Sequence, residues 1–148
     1  MIKTVVVGTD GSETASQAVA QAADLAEKFG ATLNVVSAFE PVSEARLHAE
    51  RESAPADVEW SIGPREDVDA MLDSVVAPLR ARGIDVKVTA RGGDPADAIL
   101  DIAEEEHADL IVVGNRGMTG AKRFLLGSVP NKISHNAPCS VFIVRTTG

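Results

Sequence analysis

Short apolar runs separated by longer amphipathic stretches divide the chain into alternating elements. Thr4 to Gly8, Thr32 to Phe39, Leu110 to Gly114 and Ser140 to Val144 are apolar runs of strand length, and Ile84 to Ala90 alternates apolar with polar positions. Between them, apolar residues recur at helical spacing. Ala15, Val19, Ala22, Ala26 and Phe29 line one face of a first helix, with Ser12 placed as its N-cap and Gly30 just past its end. A second helix reads through Val68, Met71, Leu72, Val75 and Leu79 and stops at Gly83. Pro78 inside it lacks the N–H of an interior turn, which predicts a kink or an early break. Asp94 as N-cap with Pro95 in the first turn starts a third helix whose Ala98, Ile99, Ile102 and Ala103 face inward, and a fourth begins near Ser128. Glu40 to Pro64 is polar and aperiodic, a long irregular connection of the kind that covers a site or moves.

Alternation of strand and helix implies an α/β fold, a mainly parallel sheet wound by right-handed crossovers with helices on both faces. Val5-Val6-Val7 and Leu110-Ile111-Val112-Val113 are continuously apolar, as strands covered on both faces should be, and belong at the centre. The third strand has one apolar face only, with Ile84, Val86 and Val88 separated by Asp85 and Lys87, and suits an edge. Both constraints are met by a doubly wound five-stranded parallel sheet of order 3-2-1-4-5. In such a sheet the winding reverses between strands 1 and 4, and ligands bind beyond their carboxyl ends. The loops there are Gly8-Thr9-Asp10-Gly11-Ser12 and Gly114-Asn115-Arg116-Gly117.

At 148 residues the chain fits one domain, 1–148, large enough to bury about 70% of the surface its unfolded form exposes. Acidic residues outnumber basic ones by 22 to 14, a net charge of −8 that repels a phosphate backbone and disfavours nucleic acid as a partner. The one cysteine, Cys139, has no internal disulfide partner and stands before an apolar run expected to bury it. No signal-peptide pattern opens the chain and no apolar run approaches the roughly 20 residues that span a bilayer, so no membrane role and a reducing, cytoplasmic setting are expected.

Chemistry concentrates after the fourth strand. Gly114-Asn115-Arg116-Gly117 is followed by nine residues and then by Gly127-Ser128 at a helix start. Glycines let backbone N–H groups approach an anion, and a helix N-terminus adds orphan donors and a positive dipole end. Charge-assisted hydrogen bonds contribute roughly 1.5–3 kcal/mol each, so several such donors suffice for useful affinity. Any one of these glycines could simply make a turn. Gly114, Gly117, Gly120 and Gly127 in one loop at the expected crevice point instead to an anion site, and Ser128 could both cap the helix and donate to phosphate. The G-x-x-x-x-G-K-[ST] and G-x-G-x-x-G motifs are absent, which disfavours a P-loop NTPase or an NAD-binding domain. Asp10 would repel a pyrophosphate but suits ribose hydroxyls or adenine; the alternative is a helix-cap partner.

Gly114-x-x-Gly117-(nine residues)-Gly127-Ser128 resembles the G-2x-G-9x-G-[ST] pattern of ATP-binding universal stress proteins. Val5 to Ser12 is similar to that family's opening strand and turn, Gly93-Asp94-Pro95 to its third helix start, and Pro138-Cys139-Ser140-Val141 to its last strand. The resemblance implies a Rossmann-like sheet of the adenine nucleotide alpha hydrolase type and ATP as ligand, with or without Mg²⁺, ADP and cyclic AMP being alternatives. It implies that Thr9, Asp10 and Gly11 meet the nucleoside and that Val36 or Ala38 lines the adenine pocket. Gly114, Asn115, Gly117, Gly127, Ser128, Val129 and Pro130 would surround ribose and phosphates, and Arg116 either approaches the phosphates or stays solvated. It also implies a homodimer, expected independently because Val141-Phe142-Ile143-Val144 is apolar on both faces at a sheet edge.

Catalytic groups are sparse. His48, His107 and His135 stand apart with no metal-ligand spacing, Cys139 reads as core, and Ser12 has no neighbouring histidine. The leading expectation is a nucleotide-binding regulator or sensor of the stress response with little or no hydrolysis. Alternatives are a slow ATPase or phosphoryl-transfer enzyme using Asp10 to hold Mg²⁺ or Ser128 as acceptor, and a non-nucleotide interaction protein.

Overall fold

The computed structural model describes residues 1–40, 64–115 and 126–146. Five strands, β1 (Thr4–Gly8), β2 (Thr32–Phe39), β3 (Val86–Gly92), β4 (Leu110–Gly114) and β5 (Ser140–Val144), form one sheet of order β3-β2-β1-β4-β5, every neighbouring pair parallel. Among the described residues four helices connect them: α1 (Glu13–Phe29), α2 (Arg65–Ala81), α3 (Pro95–Glu105) and α4 (Ser128–Asn136). The doubly wound order expected from apolar continuity is the observed one. Most of the Glu40 to Pro64 connection lies outside the described residues.

The period-2 alternation of the strands divides the core in two. Val5, Val7, Leu33, Val35, Val86 and Val112 pack under α1 and α2, while Val6, Val36, Ala38, Ile111 and Val113 pack under α3 and α4. β1 and β4 are buried almost throughout, which is why neither has polar alternation.

The caps explain the helix boundaries. Ser12 Oγ accepts from the Ala15 N–H at 3.2 Å and Asp94 Oδ2 from the Asp97 N–H at 3.0 Å, as expected for N-caps. At the end of α2, Gly83 N–H donates to Arg80 O and Ile84 N–H to Leu79 O, with Gly83 at φ +86°. This is the Schellman arrangement, in which a residue beyond the left-handed position packs back on the last turn. Ile84 therefore belongs to the cap, and β3 starts two residues later than the alternation suggested and runs to Gly92.

Pro78 does not break α2, which continues to Ala81. Its ring and Ser74, whose carbonyl would have taken the missing N–H, are both on the exposed side, where water can serve that carbonyl. Cys139 is half-buried rather than buried. Burial first, then the nearby Asp109 charge, raises its thiol pKa, while a backbone hydrogen bond with Ile111 partly opposes the rise.

Candidate functional site

The two central strands part company at their carboxyl ends. β1 and β4 are paired from Val5↔Leu110 only as far as Val7↔Val112. Beyond that, β1 follows β2, with Gly8 opposite Val36 and the Thr9 N–H donating to Val36 O at 2.9 Å. β4 follows β5 instead, with Gly114 opposite Val144 and the Asn115 N–H donating to Val144 O at 2.8 Å. The divergence opens a crevice at the position where the winding reverses. α1 starts on one side of it and α4 on the other.

On the β1 side, short polar side chains hold the turn. The buried Thr9 accepts the Gly11 N–H on Oγ1 at 3.1 Å, and Asp10 Oδ1 accepts the Ser12 N–H at 2.9 Å. Asp10 thus does the turn-holding expected of a cap partner, and it remains half-buried at the crevice. Gly11 has φ +81°, and a Cβ there would lie 2.7 Å from Met71 Cγ, so the turn and its packing on α2 both require a glycine. Val36 and Ala38 are buried in the core beneath α3, and the Val36 carbonyl is already occupied by Thr9.

On the β4 side, Asn115 makes four hydrogen bonds among the described residues. Besides its bond to Val144, its carbonyl accepts the Gly127 N–H at 2.9 Å, and its Oδ1 accepts both the N–H and the Oγ1–H of Thr146, at 2.8 and 3.0 Å. The amides of Asn115 and Gly127, expected to face an anion, are therefore directed to the protein's own carbonyls. Gly127 rather than Ser128 is the N-cap of α4; Ser128 is the first helical residue and is exposed. That placement follows from Gly127 having the extended backbone of a cap, φ −64° and ψ 169°. Among the described residues the Val129 N–H has no acceptor, and Pro130, next in the first turn, has no N–H to orphan. Arg116, Gly117 and Gly120 lie outside the described residues.

Charge separates the two sides. The first turn of α1 carries Glu13 and follows Asp10, whereas the first turn of α4 has no acid. The positive dipole end is uncompensated at α4 and offset at α1, so an anion is favoured beside α4 and a neutral, hydroxyl-bearing group beside Asp10. Lys132 of α4 is engaged elsewhere, 2.8 Å from Asp97 and 3.4 Å from Asp94, contacts that raise its pKa. Among the described residues no three acidic, histidine or cysteine side chains are grouped to hold a metal ion, and no helix is long and apolar enough to cross a membrane.

Three further contacts join elements distant in the chain. Thr146 had no signal, because its partner Asn115 lies 31 positions away. Asn34, a polar interruption of an apolar strand, is buried and accepts from Thr89 Oγ1 at 3.1 Å, joining β2 to β3. Arg65 stacks 5.2 Å from the Phe39 ring centroid at the end of β2, and only folding brings them together.

Comparison with known proteins gives a consistent result. The model of the universal stress protein family matches residues 1–145. A universal stress protein of Mycobacterium tuberculosis is 38% identical over 146 residues, covering 98% of this chain and 97% of its own. A Thermus aquaticus universal stress protein is 36% identical over 145 residues, covering 98% of this chain and all of its own. Among solved structures, a universal stress protein in complex with cAMP superposes with a TM-score of 0.73 at 33% identity, covering 99% of both chains. With the sheet order, the parting of β1 from β4 and the glycine pattern, these likenesses establish that the chain belongs to the universal stress protein family.

Proposed function

We infer that this protein binds an adenine nucleotide in the crevice between β1 and β4 and acts as a nucleotide-responsive regulator with little or no hydrolysis. The observation that carries the reading is the parting of the two central strands after Val7 and Val112, which sets the acid-free start of α4 across from Asp10. In this reading the Val129 N–H and the Ser128 hydroxyl hold phosphate, and Asp10 accepts from ribose or adenine. Val36 and Ala38, buried beneath α3, back the crevice from within the core, and Gly114 and Gly127 keep the approach free of side chains. Arg116 and Gly117 complete the phosphate side by virtue of the family pattern. The relative solved with cAMP supports an adenosine with at least one phosphate as the shared ligand chemistry.

ATP is the preferred ligand in this reading, since the pattern Gly114-x-x-Gly117-(nine residues)-Gly127-Ser128 is the one on which the ATP-binding resemblance rests. Any Mg²⁺ would be held chiefly by the phosphates, with Asp10 the carboxylate in the turn after β1; its Oδ1 already accepts the Ser12 N–H. Hydrolysis requires a positioned water and a base. Among the described residues His107 ends α3 and His135 turns its Nδ1 to the Asn131 carbonyl, so neither serves that role. The proposal extends to a cytoplasmic homodimer paired through β5.

Mass spectrometry of small molecules released from freshly purified protein, followed by calorimetry with ATP, ADP and cAMP, tests the reading. An adenine nucleotide in the released fraction and a saturable heat with ATP are expected. An empty fraction together with no heat from any of the three would overturn it.

A further inference from the structure

We propose that Thr146 is a positioning residue for the phosphate end of the site, acting through Asn115 on the start of α4. The proposal rests on the nucleotide reading above and adds to it a residue outside the glycine pattern. Thr146 follows β5 and is 8% exposed. Both of its donors converge on one atom, Asn115 Oδ1, at 2.8 Å from the backbone N–H and 3.0 Å from Oγ1. Asn115 then fixes the next partner, because its carbonyl accepts the Gly127 N–H at 2.9 Å. Gly127 is the N-cap of α4, one residue before Ser128 and two before Val129, whose N–H has no acceptor among the described residues.

A bond network of this shape sets the geometry of an anion site without touching the anion. It ties the end of β4 at Asn115 to the start of α4 at Gly127 before any ligand binds, so that binding does not have to supply this geometry. It also holds the Asn115 side chain, so that the peptide presented to Gly127 does not rotate. Loss of one donor leaves Oδ1 with one partner in a partly buried place and lets the β4 end and the α4 start move relative to each other.

Thr146→Val keeps the side-chain shape and the backbone donor and removes only the hydroxyl, while Thr146→Ser restores the hydroxyl without the methyl group. Calorimetry with ATP and, separately, with adenosine distinguishes positioning of phosphate from general damage. Thr146→Val is expected to weaken ATP roughly three- to tenfold, the worth of one net hydrogen bond, with adenosine unchanged and Thr146→Ser close to the parent. Amide exchange of Gly127 should accelerate in Thr146→Val without ligand, since this bond network protects it. Equal loss of ATP and adenosine, or no loss of ATP in a protein whose parent binds it, would overturn the proposal. A parent protein that binds neither ligand would overturn the nucleotide reading and this role with it, and unchanged Gly127 exchange would remove the mechanical step independently.

Discussion

At the residue scale, one backbone position carries avoidable strain. Three helices end alike: after α1 the Ala31 N–H returns to Ala26 O, after α2 Ile84 returns to Leu79, and after α3 Ala108 returns to Ala103. The left-handed residue is Gly30 in the first case, Gly83 in the second and His107, at φ 51°, in the third. An L side chain in that region costs on the order of 1–2 kcal/mol, part of which a glycine returns through its freer unfolded chain. His107→Gly is therefore expected to stabilise the fold by about 1 kcal/mol, read as a higher urea midpoint at constant slope. A second residue-scale effect concerns acid. Asp109 Oδ2 accepts the N–H groups of Lys3 and Thr4 at 2.8 and 3.1 Å, bonds that hold its carboxyl below the usual aspartate pKa. A depressed carboxylate contributes stability that is present above its unfolded pKa and lost as pH falls through the folded value. Between roughly pH 5 and pH 2 the urea midpoint should fall, and Asp109→Asn should flatten that fall because the carboxamide has no proton to take up. An unchanged acid limb would show that other carboxylates, Glu105 beside Arg91 first among them, carry the effect.

Among the elements, α2 and α4 separate what was legible in the chain from what was not. Strand order followed from the near-continuous apolar runs of β1 and β4 and the one-faced pattern of β3, because burial on two faces leaves no place for polar alternation. Helix starts at Ser12 and Asp94 were legible because an N-cap is a local interaction between residues three apart. Ends and contacts set by tertiary packing were not. β3 starts later than its alternation implied because Ile84 is claimed by the α2 cap, and Ser128 yields the cap position to Gly127 because Gly127 is tied to Asn115. Strand order located the crevice and the glycine cluster fell at it, yet two of the amides that cluster seemed to offer, those of Asn115 and Gly127, bind the protein's own carbonyls. Glycine spacing reports where a backbone bends and not which N–H is left over. Pro78 was expected to kink α2 or end it early; the helix runs on to Ala81, which gives a measurable consequence. Its missing bond sits on the exposed face, so Pro78→Ala restores a hydrogen bond without disturbing the buried Val76 and Leu79. A gain of about 2 kcal/mol is expected, less than the full cost of an interior proline because proline also stiffens the unfolded chain. A thermal midpoint at or below the parent's would mean that the ring fills space the alanine leaves empty.

For the whole molecule, the two edges of the sheet are built differently, and the difference bears on assembly. β3 is guarded in the manner of edges that stay unpaired: Lys87 lies 3.6 Å from Glu106, and Arg91 is ion-paired with Glu105. β5 has no charge from Ser140 to Val144. Val141 packs against the core under α3 and α4 and Val144 against the core under α1 and α2, while Phe142 and Ile143 are 40% and 38% exposed. Because successive residues of a strand point to opposite faces, one exposed apolar side chain stands on each side of this edge. A second copy running antiparallel along β5 would extend the sheet across a twofold axis and cover both at once, whereas a helix laid on one face would cover only one. Replacing both with lysine, Phe142→Lys with Ile143→Lys, adds two positive charges per protomer that a twofold contact brings close together. Since neither side chain lies in the core, the folded monomer should survive with an unchanged circular dichroism spectrum. The parent chain is expected to scatter light as a dimer at micromolar concentration and the double variant as a monomer. A parent of monomeric mass would leave β5 an uncovered edge and refute the pairing; a double variant that stays dimeric would move the interface off this strand.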